Sequence, residues 1–180
     1  MNKFHFDSKS TKKLTVAAVL LAMNIIMSSS VLSVPVPGGH MYLNDLIIVT
    51  AAILLEPLYA MAVGGLGAFL GDLLFYPTPM FVSLVTHGLQ ALVISLIVHK
   101  LFRNREVLGS IIGAVVGLVI TVTGYTLGRA FLYSTPAYAI AKFPFQILQT
   151  LVGSALALIL CWKLGVVKLY EKEFHLKRTA

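Results

Sequence analysis

At 180 residues the chain fits one domain, yet 58% of its residues are hydrophobic and only 12% charged, where a soluble domain usually carries about 25% charged residues. With a mean hydropathy of +0.89, this composition excludes a water-soluble globule. The net charge of +7 does not point to nucleic acid, because of where the charges fall. Lys3, Lys9, Lys12 and Lys13 precede the first apolar run; Lys100, Arg103 and Arg105 share one interior loop; Lys163, Lys168, Lys172, Lys177 and Arg178 follow the last run. Between Val16 and His99 the only formal charges are Asp45, Glu56 and Asp72. Twelve of the fourteen basic residues therefore lie at the termini and in one interior loop, the cytoplasmic bias of a multi-span membrane protein.

In chain order, span one covers Leu14–Leu32, close to the ~20 residues that cross a bilayer. The Ser28-Ser29-Ser30 after its apolar run has the outline of a secretory signal. Five further apolar segments follow, so it reads as a retained helix. Ala18 and Ala22, four apart, allow another helix backbone to approach closely, within this protein or outside it. Ser33–Tyr42 is a loop broken by Pro35, Pro37 and Gly38-Gly39. It lacks Lys and Arg and so belongs outside, as an apolar flap over a site. His40 within it is either a ligand contact or a surface residue.

Span two, Leu43–Leu55, is short; Asn44 and Asp45 stand where they can cap it, and Pro57 opens the next helix after Glu56. Span three, Leu58–Tyr76, holds Gly67 and Gly71 in a GxxxG pattern. Span four is Phe81–Leu101 and span five Val107–Tyr133. Span five has glycines at 109, 113 and 117, then 124 and 128, implying close contact on more than one side. After an uncharged turn, Ser134–Ala137, span six runs Tyr138–Leu164. Tyr170 and Phe174 among alternating charges suggest an amphipathic tail on the inner surface. The single cysteine, Cys161, excludes an intramolecular disulfide and reads as a packing residue. The expectation is an all-α integral membrane protein, a six-transmembrane-helix bundle with both termini cytoplasmic. One membrane domain, 1–180, comprises a basic N-terminus (1–13), the bundle (14–164) and a tail (165–180).

The polar residues gather at one depth. Asp72, Tyr76, Ser83, Thr86, His87 and Gln90 come from spans three and four; Tyr125, Arg129 and Tyr133 from span five; Lys142, Gln146 and Gln149 from span six. All lie in the outer halves, while the inner halves (LVISLIV, IIGAVVG, ALALIL) are nearly free of polar groups. A channel or proton-coupled carrier places polar groups through the membrane or at its midplane. A cup at one face suits capture of a solute. Asp72 has two readings, a pair with Arg129 or Lys142 that neutralises buried charge or direct contact with a ligand. Tyr125, Arg129 and Tyr133 recur every four residues. Aromatic rings around a cation suit a flat heteroaromatic ligand, or they form an interfacial tyrosine belt. No HExxH, paired-Cys, GxSxG or Gly-Lys-Ser/Thr phosphate loop is present. No enzyme, metal or cofactor is expected, and no ATP hydrolysis by this chain alone.

The order of these features resembles one family. Ala18-Val-Leu-Leu-Ala22, Asn44-Asp45-Leu-Ile-Ile, Glu56-Pro57, Gly64-Gly-Leu-Gly67-Ala-Phe-Leu-Gly71-Asp72 and Pro144-Phe-Gln146-Ile-Leu-Gln149 together are similar to the substrate-binding S components of energy-coupling factor (ECF) vitamin transporters. The similarity is to the branch with riboflavin-type and hydroxymethylpyrimidine/pyridoxine-type members, and spans Lys12 to about Trp162. Two positions depart from the pattern: related sequences often have an acid where Arg129 stands and Asn where Gln146 stands. The resemblance implies an outward-facing vitamin site lidded by the first loop, in the cytoplasmic membrane of a bacterium. Its residues would be His40, Asn44, Asp72, Tyr76, Ser83, Thr86, His87, Gln90, Tyr125, Arg129, Tyr133, Lys142, Gln146 and Gln149. It implies as partners a transmembrane T component, met by Ala18 and Ala22, and two cytosolic ATPases. The expected ligand is pyridoxine or hydroxymethylpyrimidine, ahead of riboflavin, thiamine and pantothenate. The competing expectation is a stand-alone secondary carrier or channel.

Overall fold

The computed structural model describes residues 8–29, 33–36 and 39–174. Lys3, Lys177, Arg178 and the Pro37-Gly38 part of the first loop lie outside the described residues. Five helices are long and apolar enough to cross a membrane. They are α1 (Ser8–Met27), α3 (Pro57–Phe75), α4 (Met80–Leu96), α5 (Glu106–Gly128) and α6 (Pro136–Leu158). The last three continue into single wide π turns, Ile97–Leu101, Arg129–Tyr133 and Ile159–Lys163. In these turns N–H groups reach back five residues, as from Phe102 to Ile97 and from Leu164 to Ile159, each at 2.9 Å. Thr135 caps α6 by accepting from the Tyr138 N–H at 3.3 Å, with Pro136 at the first helical position. The expected turn 134–137 is therefore shorter, its second half being helix.

The remaining apolar helix, α2 (Asn44–Leu54), has 11 residues, about 16 Å at ~1.5 Å per residue, too short to meet both faces of a ~30 Å hydrocarbon core. It avoids the mismatch by being wrapped in protein. Ile47 to Leu55 is buried without a break, and α2 touches α1, α3, α4, α6 and α7 (Val166–Phe174). Its side chains therefore form the middle of the hydrophobic core. Asn44 and Asp45 do not cap it. Leu43 is the N-cap residue and makes no side-chain bond, while both polar side chains turn inward and are buried.

Between α1 and α2 the expected irregular flap contains a short antiparallel hairpin, β1 (Val34–Val36) with β2 (Gly39–Met41), pairing Val34 with Met41 and Pro35 with His40. A proline is tolerated there because a two-stranded ribbon is all edge. At the opposite end of the bundle Lys12 Nζ donates to Glu173 Oε1 at 2.6 Å, and Lys13 pairs with Glu56. These pairs tie the start of α1 to α7 and to the α2–α3 junction. The tail helix α7 does not float as an amphipathic segment. Its apolar face, Val167, Tyr170 and Phe174, is buried in the core and leaves Lys168, Leu169 and Lys172 outward.

The glycines of α5 form one stripe, not two. Added Cβ atoms at 109, 113, 117, 124 and 128 would meet Phe102, Ile94, Ile94, Thr86 and Val82 respectively, all on α4 or just past its π turn. The seven-residue step from 117 to 124 is two helical turns and so keeps the same face. On α3, a Cβ at Gly64 would lie 2.6 Å from the His87 carbonyl oxygen, a backbone atom with nowhere to go. At Gly88 the nearest atom would be 3.5 Å away, ordinary contact. Gly64→Ala is therefore expected to destabilise the protein by about 1–3 kcal/mol, while Gly88→Ala is close to neutral or better. Thermal unfolding in detergent measures both; equal effects would mean that α3 and α4 pack less closely than described.

Candidate functional site

The end of the bundle away from the Lys12–Glu173 contact holds a cavity of about 180 Å³. Ser28 just after α1, His40 and Tyr42 of the hairpin segment, Asn44 of α2, Asp72 of α3, Tyr76 just after it and Pro79 supply one side. Tyr125, Arg129 and Tyr133 of α5 and its π turn, with Tyr138, Lys142, Gln146 and Gln149 of α6, supply the other. Helical spacing explains the α6 contribution, since positions 138, 142, 146 and 149 follow one stripe.

Ten of the residues expected from the sequence meet there: His40, Asn44, Asp72, Tyr76, Tyr125, Arg129, Tyr133, Lys142, Gln146 and Gln149. The other four, Ser83, Thr86, His87 and Gln90, do not line the cavity. They project from α4 beneath it and are buried. Ser83 donates to Asp72 Oδ2, which leaves the Tyr125 hydroxyl to donate to Ser83 Oγ at 2.6 Å. Thr86 packs where a Cβ at Gly124 would collide with it. His87 and Gln90 belong to a chain of hydrogen bonds from Asn44 to Asp45. Ala18 and Ala22 are exposed on α1, away from this machinery.

Sequence reasoning missed Ser28, Tyr42, Pro79 and Tyr138 in the lining, and Asp45 below it. Tyr138 was legible, one turn before Lys142 on the same face. Asp45 was legible as an acid in an apolar run, but its place at a helix start favoured a capping role. Nothing marked Ser28 among three consecutive serines.

The charges in the cavity do not cancel in pairs. Among the described residues neither Arg129 nor Lys142 forms a salt bridge with Asp72. Arg129 Nη2 donates to Gln146 Oε1 at 2.7 Å, with the guanidinium carbon 5.2 Å from the centre of the Tyr125 ring. Lys142 Nζ donates to the His40 carbonyl at 3.0 Å, and the Tyr42 N–H donates to Gln149 Oε1 at 3.1 Å. These last two bonds moor the hairpin to α6. Burial, then the negative field of Asp72, pushes the Tyr42 phenol above its ordinary value, so it is a neutral hydroxyl.

Three buried polar atoms of the lining residues have no partner: Asn44 Oδ1, Arg129 Nη1 and Gln146 Nε2. Unmade hydrogen bonds of this kind cost about 1–3 kcal/mol each. They divide by side. The α2–α3 side offers acceptors, Asn44 Oδ1 and the Asp72 carboxylate; the α5–α6 side offers donors, from Arg129, Gln146 and Lys142. Five tyrosines (42, 76, 125, 133 and 138) fill the space between. The arrangement suits a flat polar molecule, with donors on one edge and acceptors on the other.

The family model for the ECF-type riboflavin transporter S component matches residues 8–165, which includes every cavity residue. The chain belongs to this family. An S component is the substrate-binding subunit of a transporter and not an enzyme, and S components in general work with T and ATPase subunits. Family and helices together make this a multi-pass membrane protein. A Pyrococcus woesei protein, described only as an uncharacterized protein in the gap 3′ region, is 28% identical over 149 residues, 79% of this chain and 98% of that one.

The Tyr125–Ser83–Asp72 bonds make Ser83 a structural support of this S component. Ser83→Ala removes a partner from a half-buried carboxylate and strands a buried phenol, and is expected to cost about 1–3 kcal/mol. Chemical or thermal unfolding in detergent measures it; an unchanged midpoint would show that water replaces the hydroxyl.

Proposed function

We propose that this S component captures a flat, water-soluble, aromatic vitamin at an outward-facing site and hands it to an ATP-driven importer. The observation that carries the reading is the set of unpaired polar atoms on two sides of a tyrosine-walled cavity, acceptors facing donors. Riboflavin is the first candidate, since the matching family is described by it and its ring system offers N–H and carbonyl groups on flat edges. Pyridoxine and hydroxymethylpyrimidine are smaller flat rings whose donors and acceptors are hydroxyl, amino and ring-nitrogen groups, and come next; thiamine follows.

In this reading α2 completes a sixth crossing inside the shelter of its neighbours. The basic loop and both termini face the cytoplasm, as expected for Lys- and Arg-rich segments, in a bacterial cytoplasmic membrane. The hairpin lies over the site, held by Lys142 and Gln149. Ala18 and Ala22 present a small-residue face to the T component, which joins two cytosolic ATPases. Asp72, Arg129, Lys142, Gln146 and Gln149 contact the ligand directly, and Ser83, Thr86, His87 and Gln90 hold the contacting residues.

Equilibrium binding to the purified protein is expected to give a Kd for riboflavin below about 10 μM, roughly 7 kcal/mol. Arg129→Met should weaken it about tenfold or more, because hydrogen bonds to a charged group contribute about 1.5–3 kcal/mol. If riboflavin fails and pyridoxine or hydroxymethylpyrimidine binds, the ligand assignment changes within the same function; if none binds, the function falls. Ala18→Trp with Ala22→Trp is expected to abolish cellular uptake while leaving binding intact. Uptake into vesicles containing this chain alone would instead favour a stand-alone carrier.

A further inference from the structure

Asp45 has no solvent-exposed surface and no basic partner among the described residues. Both of its oxygens accept hydrogen bonds, Oδ1 from Gln90 Nε2 at 2.8 Å and Oδ2 from Thr150 Oγ1 at 3.2 Å. That fixes the direction of everything connected to it. With its NH₂ committed to Asp45, Gln90 can offer only its carbonyl oxygen to His87 Nδ1, 2.7 Å away. His87 must then carry a proton on Nδ1, and a neutral ring leaves Nε2 with a lone pair. Nε2 in turn faces Asn44 Nδ2 at 3.4 Å, a donor that a bare ring nitrogen accepts and a protonated one repels. The end of the relay is Asn44 Oδ1, buried, unpartnered and part of a residue that lines the cavity.

We propose that Asp45 is a positioning residue which, through Gln90 and His87, locks the Asn44 carboxamide so that its oxygen is the group left for the ligand, and thereby demands a hydrogen-bond donor on the ligand there. A site built around a buried acceptor rejects an analogue that presents another acceptor, because both groups then lose their partners. The same relay run backwards would present the Asn44 NH₂ and select the opposite ligand polarity; the carboxylate forbids that direction. The proposal depends on the S-component reading for the identity of the ligand, but not for the state of the relay.

The test reads the His87 ring by NMR of the full-length protein with isotope-labelled histidine, in nanodiscs and without ligand. The His87 signal is assigned by its loss in His87→Gln. The expected wild-type state is a neutral ring protonated on Nδ1. Asp45→Asn, nearly the same shape but able to donate as well as accept, should populate the Nε2–H tautomer and weaken riboflavin binding about tenfold or more. Thr150→Val, which leaves Gln90 on the carboxylate, should keep the Nδ1–H tautomer. An imidazolium or an Nε2–H ring in the wild-type protein overturns the relay and needs no variant to fold. So does an unchanged tautomer in Asp45→Asn. A wild-type ring in the expected state that shifts with Asp45→Asn, in a protein that does not bind riboflavin, supports the relay and overturns the ligand assignment alone.

Discussion

A carboxyl group held in the middle of an apolar bundle is the constraint to which the rest of this structure answers. Moving a carboxylate out of water costs several kcal/mol unless hydrogen bonds replace the lost hydration. Asp45 receives those bonds from two other helices, through Gln90 of α4 and Thr150 of α6. The bonds are possible only because α6 comes close. A Cβ at Gly153 would lie 2.6 Å from Asp45 Cβ, so the residue facing Asp45 can carry no side chain. One polar requirement thereby fixes the mutual position of α2, α4 and α6, and with it three of the elements that frame or support the cavity.

The same logic runs through the lower half of the molecule in a weaker form. Hydroxyl groups there are returned to nearby backbone carbonyls: Thr50 to Leu46, Ser110 to Glu106 and Ser95 across to Leu55. These bonds satisfy each of the three hydroxyls within the protein. Apolar packing does the remaining work, with α2 as its centre. The polar side chains that converge on the cavity come from the other end of the bundle. The exterior matches, since exposed positions such as Leu66, Val85, Val115, Val119 and Leu151 are aliphatic. Such a surface meets lipid tails without penalty.

Much of this was legible in the sequence, for physical reasons that differ by feature. Most helix positions were readable to within a few residues, because runs of apolar residues broken by Pro, Gly and charge leave few alternatives, but α1 begins at Ser8 where Leu14 was expected and ends at Met27 where Leu32 was expected. The clustering of Asp72, Arg129, Lys142 and Gln146 was readable because polar side chains in lipid-spanning helices have to face inward. What could not be read was connectivity. Nothing in the chain says that Asp72 accepts from Ser83 and does not pair with Arg129, since either arrangement satisfies the rule that buried charges need partners. Asp45 was assigned to the helix end because capping is a local rule, whereas its actual partners lie 45 and 105 residues away. The π turn that carries Arg129 and Tyr133 left no recognisable trace, and the hairpin was hidden by prolines that normally argue against strands.

The hairpin gives those connections a consequence for the site. Two of its moorings, Lys142 to the His40 carbonyl and Gln149 to the Tyr42 N–H, use side chains that also line the cavity. A ligand group that competes for Gln149 Oε1 loosens the strand next to α2; one that bridges to Lys142 while leaving the His40 bond intact tightens it, because the ammonium has three donors to share. If the cavity is the ligand site proposed above, its occupancy and the hairpin are linked through these shared hydrogen bonds. The sign of that linkage depends on the ligand. An acceptor placed between Arg129 and Lys142 would add to the existing bonds, whereas a donor there would have to share the second lone pair of Gln146 Oε1 or of the His40 carbonyl.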